Sequence, residues 1–145
     1  MRKAWLLLAL LPLLTGCGLL YKLRVKKVGD RLQETGNKFR SIVKELESNP
    51  SVALQRQWVT ETVGRLQEIR TELAEIQSQL EGIRAPGRYR EAHDKLKRGV
   101  QLLVEATDLL IDALNLKSIP KGRQAIQKAS EAERLLREAA DEIRG

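Results

Sequence analysis

The chain has 145 residues, 42% of them hydrophobic and 31% charged, with 26 basic against 19 acidic side chains, one histidine and one cysteine. That length fits one domain able to bury a real core. A lone cysteine excludes a disulfide framework, and a lone histidine excludes any site that needs two.

The first stretch has a basic start, Arg2 and Lys3, and an apolar run from Ala4 to Leu14 interrupted only by Pro12. Leu14-Thr15-Gly16-Cys17 follows, two small residues just ahead of the cysteine. This order of features is a signal peptide. It resembles the lipobox of bacterial lipoproteins, which implies cleavage between Gly16 and Cys17 and a diacylglyceryl group on Cys17. The apolar run is about half of the roughly 20 residues that span a bilayer, so the expectation is an anchored protein rather than an embedded one. Two acyl chains, at roughly 0.8 kcal/mol per buried CH₂, hold a small domain stably. The implied layout is a signal peptide over 1–16, a lipidated cysteine and tether over 17–21, and a helical domain over 22–145. Loss of Arg2 and Lys3 leaves 24 basic against 19 acidic residues, a mature net charge of +5.

From Leu23 to Glu47 the apolar residues Val25, Val28, Leu32, Phe39, Ile42 and Leu46, with Thr35, recur at alternating spacings of three and four. That is the seam of a packed helix. Gly29 and Gly36 lie off the seam and weaken this helix by roughly 1 kcal/mol each relative to Ala, so its anchor-proximal half is expected to fray. Asn49 and Pro50 end it, and Asn49 or Ser51 is expected to cap a second helix over about 52–84. There Val59, Thr62, Leu66, Ile69, Leu73, Ile76, Leu80 and Ile83 keep the same alternation, and Glu61 with Arg65 reads as an ion pair on the solvated face.

Ala85-Pro86-Gly87 makes the next turn, and a third helix is expected over about 89–116. Its apolar surface is double. Leu96, Val100, Leu103, Leu110 and Leu114 form one stripe, and Gly99, Leu102, Ala106, Leu109, Ala113 and Leu116 form another beside it, so this helix is the central one. After a break at 117–120, a fourth helix from about 121 to 143 carries Ala125, Ala129, Ala132, Leu136, Ala139 and Ile143, small enough for close packing on the third. Four amphipathic helices with short breaks predict an all-α, up-down-up-down antiparallel four-helix bundle. The alternative is three long helices, the third and fourth merging through a kink at Pro120.

The segment from Leu80 to Leu96, with a helix ending at the Pro86 turn and the next starting with Tyr89 and the Ala92-His93 pair, continues into Leu102-Leu103 and Ala106. It is similar to a pattern in short, uncharacterised helical lipoproteins of Gram-positive bacteria, with Gly87 standing where those often have a second proline. The resemblance covers the lipobox and residues 80–116. It implies an envelope location and a small helical domain and carries no activity with it.

His93 stands one turn before Leu96 and reads as a packing or capping residue, and Glu91-Ala92-His93 has the wrong spacing for a metal pair. Glu105, Asp108 and Asp112 share a face and read as a solvated strip. No catalytic residue, metal site or cofactor is expected. Basic residues are more informative: Lys22, Arg24, Lys26, Lys27 and Arg31 follow the anchor, and Arg84, Arg88 and Arg90, continued by Lys95, Lys97 and Arg98, surround the second turn. In an antiparallel bundle that turn returns to the anchor end, so both groups are expected to face anionic lipid or an anionic envelope polymer. Nucleic acid is excluded as a partner by export and by the missing aromatic platform.

The expected function is therefore that of a non-enzymatic interaction or scaffold module, with a protein partner of unknown identity. Its expected place is the outer face of the bacterial cytoplasmic membrane. In a cell with two membranes it is the outer one, because Gly18 lacks the acidic side chain that resembles an inner-membrane retention signal. The second reading is an envelope protein that holds a lipid or other amphipathic molecule between its helices.

Overall fold

The computed structural model describes the backbone of residues 2–145 and the side chains of residues 18–145, so the cleavage and lipidation expected at Gly16 and Cys17 lie outside the described side chains. Four α-helices follow in order: α1 (Arg2–Ser48), α2 (Arg56–Glu81), α3 (Arg90–Leu116) and α4 (Ile119–Arg144), with 3-10 turns at Pro50–Leu54 and Gly87–Tyr89. No strand occurs among the described residues. The fold is an all-α, up-down-up-down bundle.

The seam of α1 is buried as its spacing requires, through Val25, Val28, Leu32, Thr35, Phe39 and Ile42, and α2 answers with Thr62, Leu66, Ile69, Leu73, Ile76 and Leu80. Each fully buried aliphatic side chain contributes roughly 1.5–3 kcal/mol, enough to carry α1 straight through Gly29 and Gly36. α1 is continuous there, in place of the expected fraying. It also begins before the expected boundary. Tyr21, placed in the tether by the sequence, is one of the most deeply buried residues at 2% exposed. The seam simply extends one step further back, since Tyr21 stands four residues before Val25. The described core runs from Tyr21 to Ile143, so a chain that begins at residue 18 carries all of it.

Two threonines sit in these seams with their hydroxyls satisfied. Thr35 donates to a Glu72 carboxylate oxygen at 2.7 Å, while Lys38 reaches the other oxygen at 3.1 Å. The Thr35 hydrogen bond, with Lys38 and Arg31 nearby, lowers the Glu72 pKa from its ordinary value. Arg65 does not meet Glu61 as expected. It donates to Thr62 at 3.1 Å and lies 3.8 Å from Glu45 on α1, while Glu61 accepts from Gln57.

The second helix starts later than its apolar pattern suggests. Pro50 opens a 3-10 turn that tucks Val52 into the protein, and Gln55 is extended before α2 begins at Arg56. Neither Asn49 nor Ser51 caps α2; their side chains bond each other at 2.6 Å.

Lys117 separates α3 from α4. Its φ of 53° is left-handed, and the Lys117 and Ser118 amides both donate to the Ala113 carbonyl, which closes α3. Ser118 accepts from the Lys121 amide, and Pro120 falls inside the first turn of α4, where its missing N–H costs nothing. The three-helix alternative is thereby replaced by two distinct helices.

α3 is central, as its double stripe predicted. Val104 and Thr107 are buried as well, while Leu109 is half-buried and Leu116 is exposed past the end of the packed region. Against α3, α4 lays Ala125, Ala132 and Ala139, all fully buried. Gly99 is what permits the approach: a Cβ there would stand 2.7 Å from two Leu136 side-chain carbons.

Candidate functional site

The end of the bundle where α1 enters the core brings distant segments together. Tyr21 of α1 stacks on Tyr89, which follows the second turn, with ring centroids 5.1 Å apart and an interplanar angle of 19°. The Tyr21 hydroxyl donates to His93 Nδ1 at 2.9 Å, and His93 Nε2–H donates to the Leu80 carbonyl at 3.0 Å. Leu80 lies in the last turn of α2, where carbonyls run short of helical donors; its oxygen accepts from the Ile83 amide at 3.2 Å and from His93, which thereby helps to cap that helix. It ties three helices together in the capping role its position suggested, using both ring nitrogens. Burial, then the neighbouring Tyr89 and Asp94, pushes the Tyr21 pKa up to about 12.

The basic residues gather on this aromatic base. The Arg88 guanidinium lies over the Tyr89 ring at 4.6 Å and donates to the Tyr89 hydroxyl at 2.6 Å. The Lys22 ammonium approaches the same ring at 5.8 Å. Such contacts contribute roughly 0.5–1 kcal/mol each where solvent reaches them. The two clusters predicted from sequence therefore do meet, Lys22 from one and Arg88 from the other.

Arg24, Lys26, Lys27, Arg84 and Arg90 are exposed. None of these five, nor Lys22 or Arg88, has an ion-pair partner among the described residues. Arg31 departs from the expectation, because it reaches across to Glu75 and is committed to the α1–α2 seam. Lys95 is likewise held by Glu138 and Glu142 of α4, and Lys97 by Glu81. Beside the cluster Leu19, Leu20 and Leu23 remain 60%, 50% and 54% exposed.

The acidic strip of α3 resolves into separate ion pairs. Asp108 meets Arg70 of α2 at 2.9 Å, while Glu105 and Asp112 face Lys128 and Lys121 of α4 at 3.5 and 3.9 Å. Among the described residues, no group of His, Cys, Asp and Glu is placed to hold a metal ion, and no helix is long and apolar enough to cross a membrane.

A second feature bears on the second reading, which assigns no position to the space between helices. A groove of about 820 Å³ runs between α1 and α4, floored in part by Leu96 and Leu103 of α3. Gly29 and Gly36 line it, and nothing stands within 4 Å of where a Cβ would sit on either. Arg40 and Glu133 form an ion pair from one wall to the other.

The fold and its two surfaces define a class: a small all-α bundle with an unneutralised basic end on an aromatic base. No protein-family model, curated protein or solved structure matches the chain.

Proposed function

We propose that the chain is a lipid-anchored envelope protein, held through Cys17, whose bundle rests its basic end on anionic headgroups and works as a non-enzymatic interaction or scaffold module. The observation that carries the reading is the meeting of Lys22 and Arg88 at the Tyr89 ring, from segments about sixty residues apart, each beside further exposed basic residues, with no ion-pair partner for any of the seven among the described residues. That end is also where the chain leaves the proposed anchor. Near an anionic surface each such residue contributes roughly 1 kcal/mol before screening. The exposed Leu19, Leu20 and Leu23 add apolar surface at the same level.

The lipobox and the helical pattern around the Pro86 turn support the lipoprotein assignment and the likeness to short helical lipoproteins. They favour the outer face of the cytoplasmic membrane, or the outer membrane in a cell that has two. A non-enzymatic role is favoured by the engagement of the single histidine in a structural cap and by the separate pairing of the acidic strip. An anionic envelope polymer would meet the same charge, and a protein partner would then dock above the headgroups.

The test is binding of residues 18–145, without lipid, to neutral and anionic vesicles across a salt series. Salt-sensitive binding to anionic vesicles alone is expected, lost on combining K26Q, K27Q, R88Q and R90Q. Failure to bind anionic vesicles at low salt would overturn the membrane-facing orientation.

A further inference from the structure

The α1–α4 seam is built differently from the others. Elsewhere neighbouring helices meet through interdigitated Leu, Ile, Val and Phe, or through the close Ala and Gly contact of α3 with α4. Between α1 and α4 the facing residues include Gly29, Gly36, Ala129, Ser130 and Ala140, and they do not fill the space between them. Apolar floor and charged rim alternate with depth: Val25, Leu32 and Phe39 lie below, and polar side chains stand along both edges.

The shape of the space selects its occupant. On α1 the lining runs from Lys22 to Glu47, which is about 37 Å of helix at about 1.5 Å per residue. At a length several times its width, the groove is a lane, and its apolar floor between charged edges suits an extended alkyl chain. One leaflet of a bilayer's hydrocarbon core is about 15 Å deep, and about 27 Å of α1 separates Lys22 from Arg40, so one chain lies comfortably below the Arg40–Glu133 bridge.

Charge fixes which end the head occupies. At the mouth nearest the basic end the groove is lined by Lys22, Lys26, Arg137 and Arg144, against Asp30 and Asp141. None of the four cations has an ion-pair partner among the described residues. A net positive mouth on an apolar lane matches an anionic head on a hydrocarbon tail.

We propose that the α1–α4 groove binds one free long-chain carboxylate, its tail over Gly29 and Gly36 and its head among Lys22, Lys26 and Arg144. The two glycines keep the lane open at the expense of helix propensity, and the Arg40–Glu133 pair crosses it beyond the tail. Lys22 and Lys26 belong to this mouth and to the membrane-facing surface alike, so the test turns on the glycines, which belong to the groove alone.

Palmitate and cetyl alcohol are titrated calorimetrically, below their aggregation limits, into residues 18–145 and its variants. Saturable binding of one palmitate per chain is expected, with the alcohol weaker by at least about tenfold. Gly36→Leu places a side chain in open space and raises helix propensity; it is expected to weaken palmitate at least about tenfold without lowering the melting temperature. Gly29→Leu is expected to do the same and serves as the independent second block. K26Q with R144Q is expected to weaken palmitate and leave the alcohol unchanged. Absence of saturable palmitate binding, or binding by both leucine variants equal to that of the parent, would overturn the proposal. Equal affinity for the alcohol would overturn the anionic head. Salt-sensitive vesicle binding is expected to survive both leucine variants, so loss of the groove and loss of the membrane-facing end are separately visible.

Discussion

Replacing glycine by alanine at two positions of the bundle should have opposite effects, and the difference tests how closely α4 lies on α3. Alanine in a helix interior is favoured over glycine by about 0.8–1 kcal/mol. At Gly36 nothing opposes that gain, because no atom lies within 4 Å of the new methyl, so Gly36→Ala should stabilise by about 0.5–1 kcal/mol. At Gly99 the methyl would stand 2.7 Å from both Cγ and Cδ2 of Leu136 and 3.4 Å from the Ala132 carbonyl oxygen. The branch point of the leucine is struck, not its tip alone, so rotating the end of the side chain does not relieve the contact. Overpacking of this kind costs about 1–3 kcal/mol. Set against the propensity gain, Gly99→Ala should be destabilising by roughly 1 kcal/mol, leaving the two variants about 1.5–2 kcal/mol apart. Urea titration followed by far-UV circular dichroism measures this as a shift in midpoint at constant slope. A Gly99→Ala protein as stable as Gly36→Ala would refute the close α3–α4 approach.

Two further outcomes follow from the capped ends. A Tyr21 pKa pushed up to about 12 in the folded chain, against an ordinary value near 10, means that the unfolded chain loses this proton first. Stability from this group is complete below pH 10 and falls as pH rises toward 12, by roughly 3 kcal/mol. Tyr21→Phe should remove that part of the alkaline slope in pH-dependent urea titrations, while costing about 1–3 kcal/mol at neutral pH by leaving His93 Nδ1 without its donor; an unchanged alkaline slope would count against the burial of Tyr21, and unchanged stability at neutral pH against its bond to His93. Lys117→Gly relieves a left-handed residue at the α3 terminus and should raise stability by about 1 kcal/mol, read as a higher melting temperature; a lower one would show that α3 does not end there in that conformation.

Most of the bundle was legible because its seams obey one spacing. Alternation of three and four from Val25 to Leu46 and from Val59 to Ile83 located α1 and α2, and the double stripe located α3 at the centre. The start of the domain was misplaced at Tyr21 because the lipidation expected at Cys17 suggested a tether, although the same spacing carried one step back would have included it. Composition cannot reveal that Tyr21 stacks on Tyr89, since the contact spans 68 residues and depends on the antiparallel return. That return was foreseen, and with it the meeting of Lys22 and Arg88. Arg31 was misassigned because its sequence neighbours are free, while its actual partner, Glu75, is fixed only once α2 lies alongside. The groove was invisible for a different reason: Gly29 and Gly36 register in a sequence only as weak helix formers, and an unfilled seam becomes apparent only when the opposing α4 residues are also seen to be small.

The way α1 lies along its neighbours has a mechanical consequence. Its buried side chains, from Tyr21 to Ile42, form a single row parallel to the bundle axis, contributed by one uninterrupted helix. A pull on residue 18 along that axis loads the whole row in shear, so the contacts resist together and yield at one high force. A pull across the axis loads only the nearest turn, and α1 unzips one seam residue at a time at a much lower force, with Tyr21 the first to leave. The bundle is stiff toward tension along its length and soft toward tension from the side.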